Sequence, residues 1–142
     1  MTSSKSTAPV ALVTEEVIED YISGKCMYLA AALSRHFGWE IRVAQELPDT
    51  PDSYIGHAWC VEPTTGYCVD IDGLYPHDIN GWIHPGAKLL TNLGEQELLH
   101  LTMTTGGYPF TAQYWEDAVV EAQAVVTQYL VPKIGKRLLE IG

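Results

Sequence analysis

A short turn between two alternating segments constrains the fold of this chain more than any other feature. The turn, Pro63-Thr64-Thr65-Gly66, lies between a strand-like stretch over residues 54–62 and a second one over residues 67–72. Proline and glycine favour turns, whereas β-branched and aromatic residues favour strands. The pattern therefore predicts a β-hairpin with a four-residue loop, in which Glu62 faces Tyr67.

This register brings a histidine and two aspartates to one face of the predicted hairpin. It sets His57 opposite Asp72 and Trp59 opposite Asp70. Because side chains alternate between the two faces of a strand, both carboxylates can approach the imidazole, one directly and one diagonally. A shift of one residue would turn them to the opposite face. Within the predicted register, either aspartate can be the partner of His57.

A predicted helix upstream of the hairpin begins with a cysteine. The segment from about Lys25 to Phe37 is apolar on one face, with Ser23 as a candidate N-cap and Gly38 as the C-terminal stop. Cys26 then lies in the first turn, where backbone N–H groups and the helix dipole stabilise a thiolate. A thiol, an imidazole and a carboxylate are the parts of a cysteine nucleophile site, and the N–H of Cys26 is a natural oxyanion donor.

The stretch from Ser23 to Gly73 resembles the transglutaminase-like branch of the papain-like cysteine superfamily, including its small bacterial and phage members. The resemblance rests on Cys26 at the head of an alanine-rich helix, on Gly56-His57-Ala58-Trp59, and on Gly66-Tyr67-Cys68-Val69-Asp70-Ile71-Asp72-Gly73. It implies an α+β fold with a papain-like core. In such a fold the nucleophile helix packs on a small antiparallel sheet, and here a long C-terminal helix supports it.

The resemblance also implies a role for each residue of the site. Cys26 would be the nucleophile, and His57 would be the general base and then the general acid. Asp70 would orient His57, with Asp72 as the alternative, and Trp59 would contact the substrate. The reaction would proceed through a thioester. We therefore expect a cysteine hydrolase or acyl transferase, without a cofactor, that acts on a peptide, an isopeptide or a glutamine side chain of a protein or peptide substrate.

Two other interpretations use the same residues. A free cysteine on an apolar helix face is commonly a packing residue, and the chain would then be a non-catalytic binding or inhibitor protein on a papain-like scaffold. A metal site could instead be written from four residues: His57, Cys60, Cys68 and His77. Cys60 should face away from His57, however, and no Cys-x-x-Cys pair supports the site. We therefore expect no bound metal.

Charge and hydropathy exclude several classes of partner. The chain has 142 residues and a net charge of −10, whereas phosphate contacts need clustered Lys and Arg, so we expect no nucleic-acid partner. No apolar run reaches the ~18 residues that a membrane span requires, so we expect no membrane partner. The run from Val10 to Val13 is too short for the apolar core of a secretory signal, which favours a cytoplasmic protein.

The rest of the sequence predicts one domain. Residues 1–13 are expected to form a flexible N-terminal segment, and residues 14–142 a single papain-like catalytic domain. Gly73 should end the hairpin, and residues 74–85 should be mostly loop. A long C-terminal helix is predicted to begin after Thr111 and to kink or split at Pro132. Residues 94–101 fit either a short helix or a strand.

Overall fold

Helices and antiparallel strands form the described part of the chain, which in this computed structural model covers residues 13–76, 85–105 and 111–141. In chain order the elements are α1 (Glu15–Ser23), α2 (Cys26–Phe37), β1 (Ile41–Glu46), β2 (Tyr54–Val61), β3 (Cys68–Asp70), β4 (Gly73–Tyr75), β5 (Lys88–Leu93), α3 (Glu95–Thr104), α4 (Ala112–Val125), a π-helical turn (Val126–Leu130) and α5 (Val131–Ile141). The predicted α+β class is confirmed.

The ends of α1 and α2 follow from their local sequence. Thr14 caps α1 by accepting the backbone N–H of Val17 at 3.3 Å. Helix α2 begins at Cys26, and its N-cap residue is Lys25 rather than the predicted Ser23. It ends at Gly38, whose φ of 77° lies in the left-handed region that glycine adopts without a Cβ penalty. Cys26 is therefore the first residue of the helix.

The sheet has the strand order β4-β3-β2-β1-β5, and every neighbouring pair is antiparallel. Cys60 pairs with Val69, Val61 pairs with Cys68, and the N–H of Glu62 donates to the carbonyl of Tyr67 at 2.9 Å. The hairpin register predicted from the turn is confirmed. This register places Asp70 diagonally across from His57 on the same face of the hairpin.

Two strands differ from the sequence prediction. Gly73 does not end the hairpin but begins β4, which pairs Asp70 with Gly73 and Cys68 with Tyr75. The segment predicted as loop over residues 74–85 thus starts as a strand, while residues 77–84 lie outside the described ranges. Strand β5, which pairs with β1, was not predicted. The ambiguous stretch over residues 94–101 is helical and forms most of α3.

Helix α2 lies between the sheet and α4, so its whole middle is buried. The buried side chains of the helix and the strands belong to one hydrophobic core, which includes Ala30, Ala31, Ala32, Leu33, Ile41, Val43, Ala58, Cys60 and Val69. Three consecutive alanines let the strands approach the helix closely. Burying Leu33 alone contributes about 1.5–3 kcal/mol, and this packing holds the first turn of α2 against β2.

An ion-pair network fixes the other end of α2. Arg35 donates to both carboxylate oxygens of Glu95, at 2.7 and 2.6 Å, and to those of Glu116, at 3.1 and 2.8 Å. The indole N–H of Trp115 donates to Glu95 at 2.9 Å. The two carboxylates raise the pKa of Arg35, chiefly through these hydrogen bonds. Helix α2 is therefore tied to α3 and α4 at the end opposite Cys26.

The C-terminal helix is interrupted, as predicted, near Pro132. The interruption is a π-helical turn over Val126–Leu130, in which the N–H of Val131 donates to the carbonyl of Val126. A proline in a regular α-helix lacks a donor and clashes with the turn before it, and a wider turn is one way to accommodate this. Helix α5 then runs past β4, where the aliphatic part of Lys133 covers Gly73.

Candidate functional site

A buried carboxylate holds the turn between β2 and β3. Glu62 accepts the backbone N–H groups of Thr64 and Thr65, each at 2.9 Å, and a hydroxyl hydrogen bond from each threonine at 2.7 Å. Burial by itself would raise the pKa of Glu62, but these hydrogen bonds outweigh it and lower the pKa to about 2. Sequence reasoning missed this role. An acidic residue directly before the turn Pro63-Thr64-Thr65-Gly66 was the available signal.

Strand β2 carries His57 to the edge of the buried layer. Its Nε2 lies 3.1 Å from Oδ2 of Asp70, and 15% of the His57 side chain is exposed. The indole ring of Trp59 stacks near the imidazole, with the ring centroids 5.6 Å apart and the planes inclined by 20°. These contacts are the diagonal and same-face contacts that the hairpin register allows.

Asp70 accepts hydrogen bonds on both of its carboxylate oxygens. Oδ2 accepts the hydroxyl of Tyr75 at 2.7 Å in addition to the contact with His57. Oδ1 accepts the backbone N–H of Asp72 at 2.9 Å. Asp70 is buried, whereas Asp72 lies exposed in the turn after β3. Of the two aspartates considered from the sequence, Asp70 is therefore the one that hydrogen-bonds His57.

Cys26 contacts the imidazole from the first turn of α2. Burial by itself would lower the pKa of His57, but hydrogen bonds with Asp70 and with the side chain of Cys26, together with their negative charges, raise the pKa to about 9. Nε2 is the ring nitrogen that contacts Asp70. The structure thus brings Cys26, His57 and Asp70 into one chain of contacts.

A bulge in β2 sets the position of His57 along the strand. Ala44 pairs with His57, but the next residue, Gln45, pairs with Ile55, so Gly56 is the additional residue. A Cβ on Gly56 would lie 2.7 Å from Cγ of Glu46, which leaves room only for glycine. Bulges of this kind re-aim the neighbouring side chain. The Gly56-His57 pair noted in the sequence thus has a steric reason.

A pocket of about 220 Å³ opens beside the imidazole. Its lining residues come from α1, β2, β3 and the turn after β3: Ile22, Gly56, His57, Asp70 and Asp72. Cys26 is not among these lining residues and is 3% exposed. The pocket therefore gives a ligand direct contact with the histidine, while the sulfur is covered by neighbouring atoms.

Trp59 is not among the residues that line this pocket. Its side chain is 0% exposed and packs with Ala44 and Cys68 on the face of the sheet that carries His57. The structure shows a packing contact between Trp59 and the His57 ring. The predicted substrate contact of Trp59 stays a prediction.

The remaining cysteines are placed for packing. Cys60 points away from His57, as predicted, and its Sγ donates to the carbonyl of Ala30 at 3.3 Å. Burial, and then the charge of Glu40, raise the pKa of Cys60. Cys68 is also buried. Among the residues that the structure describes, no group of three or more His, Cys, Asp or Glu side chains is arranged to hold a metal ion, and His77 lies outside those residues.

The assignment of this site rests on its geometry. Within the described ranges, no helix combines the length and apolar character needed to cross a bilayer. Comparisons of the chain with protein families, with curated protein sequences and with solved structures find no significant match.

Proposed function

We propose that this protein is a papain-like cysteine hydrolase or acyl transferase that acts on an amide carbonyl through a thioester on Cys26. The observation that supports the proposal is the chain of contacts from Cys26 through His57 to Asp70, with Cys26 as the first residue of a helix. A nucleophile, a base within hydrogen-bond reach and a third group that orients the base are the parts such chemistry needs.

The protonation state of His57 supports the same proposal. With a pKa of about 9, the imidazole is protonated at neutral pH. A protonated imidazole is the proton donor that acyl transfer needs, and it is the kind of partner that activates a cysteine nucleophile. Asp70 holds the ring by Nε2, which leaves Nδ1 as the nitrogen that can exchange a proton with the sulfur in the proposed reaction.

Each step of the proposed reaction uses these groups. The thiolate of Cys26 attacks the carbonyl carbon, and the oxyanion binds the N–H of Cys26, one of the unbonded donors of a helix N-terminus. The amine leaves with the proton from His57, which gives a thioester. Water, or an incoming amine, then attacks the thioester while His57 takes its proton, and the thiolate leaves with the bonding electron pair.

The substrate is proposed to be a protein or peptide. The pocket beside His57 is bordered by the exposed carboxylate of Asp72, and the chain carries a net charge of −10. An acidic field of this kind favours neutral or cationic substrates. Hydrolysis, deamidation and transfer share the thioester, and they differ only in whether water or an amine attacks it.

One observation favours a second candidate, a binding protein on a papain-like scaffold in which the three residues are structural. Cys26 is 3% exposed, which is the exposure of a core residue. In that case the His57–Asp70 pair would hold β2 against β3, and the thiol would contribute packing alone. The two candidates predict opposite behaviour of Cys26 toward an acylating reagent.

The test is acylation by p-nitrophenyl acetate, an activated ester that needs no knowledge of the natural substrate. The thiolate displaces nitrophenolate, whose absorbance reports the rate, and the acetyl group remains on sulfur. Trypsin separates the thiols, because Cys26 lies between Lys25 and Arg35, whereas Cys60 and Cys68 both lie in the peptide between Arg42 and Lys88. Mass spectrometry of the two peptides locates the acetyl group.

The proposal predicts a burst of nitrophenolate close to one equivalent, with the acetyl group on the Cys26 peptide. Cys26→Ala should lose the burst, and Cys68→Ala, which removes another buried thiol, should keep it. Acetylation spread equally over both peptides, or no burst in the folded wild type, would overturn the proposal and favour the scaffold.

A further inference from the structure

One oxygen of Asp70 serves two donors. Oδ2 lies 3.1 Å from Nε2 of His57 and 2.7 Å from the hydroxyl of Tyr75, so the tyrosine bond is the shorter of the two. Oδ1 is held separately by the backbone N–H of Asp72 at 2.9 Å. With both oxygens bonded, the carboxylate cannot rotate about its Cβ–Cγ bond without breaking two contacts besides the one with the imidazole.

The fold delivers Tyr75 to this position through β4. The turn after β3 pairs Asp70 with Gly73 and Cys68 with Tyr75, so the tyrosine lies on the same face of the sheet as the carboxylate. Gly73 has a φ of 101°, and a Cβ there would lie 3.1 Å from Cε of Lys133. Helix α5 therefore packs directly on β4 and supports the strand that carries the tyrosine.

We propose that Tyr75 is a positioning residue for His57. Its hydroxyl fixes Oδ2 of Asp70 where that oxygen accepts Nε2–H, and it acts on Cys26 only through Asp70 and the imidazole. The consequence for Cys26 rests on the proposed function, whereas the consequence for His57 does not.

The ionisation of the tyrosine is consistent with this role. Burial, and then the charge of Asp70, raise the pKa of Tyr75, so the hydroxyl keeps its proton and remains a donor at every pH at which His57 titrates. The bond it donates to a carboxylate is charge-assisted and stronger than a neutral one. Tyr75 therefore donates its hydrogen bond to Asp70 throughout the pH range in which His57 titrates.

The experiment is a double-mutant cycle between Tyr75 and Asp70. It compares the wild type, Tyr75→Phe, Asp70→Asn and the double variant, and Tyr114→Phe serves as the matched control because Tyr114 is an exposed tyrosine on α4. Two quantities are measured in each folded protein. One is the pKa of His57 by NMR titration, and the other is the rate at which iodoacetamide alkylates Cys26 at neutral pH. If Asp70→Asn does not fold, Asp70→Glu takes its place in the cycle.

The proposal predicts non-additivity. Tyr75→Phe should lower the pKa of His57 and slow alkylation of Cys26 about tenfold. Without the hydrogen bond from the hydroxyl, the Asp70 carboxylate can rotate, and it then contacts the imidazolium for a smaller fraction of the time. In the Asp70→Asn background the same substitution should change the rate by no more than about twofold. Tyr114→Phe should leave both quantities unchanged.

Two results would overturn the proposal. One is an unchanged pKa of His57 in Tyr75→Phe, and the other is an equal loss in both backgrounds, which would mean that Tyr75 acts independently of Asp70. The failure of the proposed function gives a different pattern. Cys26 of the wild type would then react no faster than Cys60, while the NMR titration would still show whether Tyr75 acts on His57 through Asp70.

Discussion

Two buried thiols on the interface between α2 and β2 have similar burial and different surroundings. Cys26 begins α2 and contacts the imidazole of His57, whereas Cys60 lies in β2 and donates to the carbonyl of Ala30, in the second turn of the same helix. The partner of Cys60 is a backbone acceptor, which leaves the thiol its proton. The partner of Cys26 is an imidazole that a carboxylate holds in its charged form.

The comparison shows that the partner of a buried cysteine, more than its exposure, sets its chemistry. Exposure alone would class both residues as packing residues, since they are 3% and 0% exposed. What separates them is the neighbouring group, which is the imidazole of His57 for Cys26 and a backbone carbonyl for Cys60. Each prediction below removes or weakens one part of that difference.

The largest effect is expected from removing each sulfur in turn. Cys26→Ala should reduce the acylation rate by about 10³-fold or more, since the nucleophile itself is lost. Cys60→Ala should keep the rate and cost about 1 kcal/mol in the free energy of unfolding, because it removes a small buried group. Nitrophenolate release and urea unfolding measure the two quantities. If Cys60→Ala lost acylation while it kept the free energy of unfolding of the wild type, Cys60 would be the reactive thiol in place of Cys26.

The next effect is the loss of the imidazole. His57→Ala should slow alkylation of Cys26 by about 10–100-fold at neutral pH and leave the slow rate of Cys60 unchanged. His36→Ala is the matched control, because His36 is an exposed histidine on α2. Peptide mapping after timed iodoacetamide treatment gives both rates in one sample. Equal slowing of the two thiols would point to a general loosening of the fold.

The pH dependence of stability follows from the raised pKa of His57. The charged form is favoured in the folded state, so its stabilisation is complete below the unfolded pKa of about 6.5 and is lost as pH rises through about 9. Urea unfolding should therefore show the free energy of unfolding falling by on the order of 2–3 kcal/mol between about pH 6.5 and pH 9.5. The decrease should be much smaller in His57→Ala. A flat profile in the wild type would mean that folding takes up no net proton at His57 and Cys26 together.

The smallest effect concerns the hairpin turn, on which the register depends. Glu62→Gln replaces one acceptor oxygen by a donor and should lower the free energy of unfolding by about 1–2 kcal/mol. Because the pKa of Glu62 is lowered to about 2, its contribution is present above about pH 4.5 and is lost as pH falls toward 2. Urea unfolding at neutral and acidic pH measures both, with Glu121→Gln, at an exposed position on α4, as the control. An equal acid dependence in wild type and Glu62→Gln would contradict this assignment.

The parts of the fold that local chemistry determines were predictable. The turn at residues 63–66 gave the hairpin register, and Gly38 gave the end of α2. Strand β4 was not predictable in the same way, because Gly73 resembles a strand terminator and its role depends on pairing with Asp70. Strand β5 lacks a clear polar–apolar alternation, and Asn92 within it has a φ of 59°, so its strand character depends on pairing with β1.

The same distinction between local and tertiary features applies to the candidate site. The hairpin register placed Asp70 near His57, because a turn is a local feature, whereas the position of Cys26 beside them was expected only from the family resemblance. Sequence reasoning missed Tyr75, since a side chain delivered by an unrecognised strand has no local signature. It did not predict the burial of Trp59, because that burial depends on how the second face of the sheet is covered, which is a tertiary property.

The most direct test of the account is the NMR titration of His57 in the wild type and in Cys26→Ala, with its resonance identified by its loss in His57→Ala. The account predicts a pKa of about 9 in the wild type and a clearly lower pKa in Cys26→Ala, because the negative charge on the sulfur would be gone. The same pKa in both proteins would contradict it, since the sulfur and the imidazole would then not share a proton.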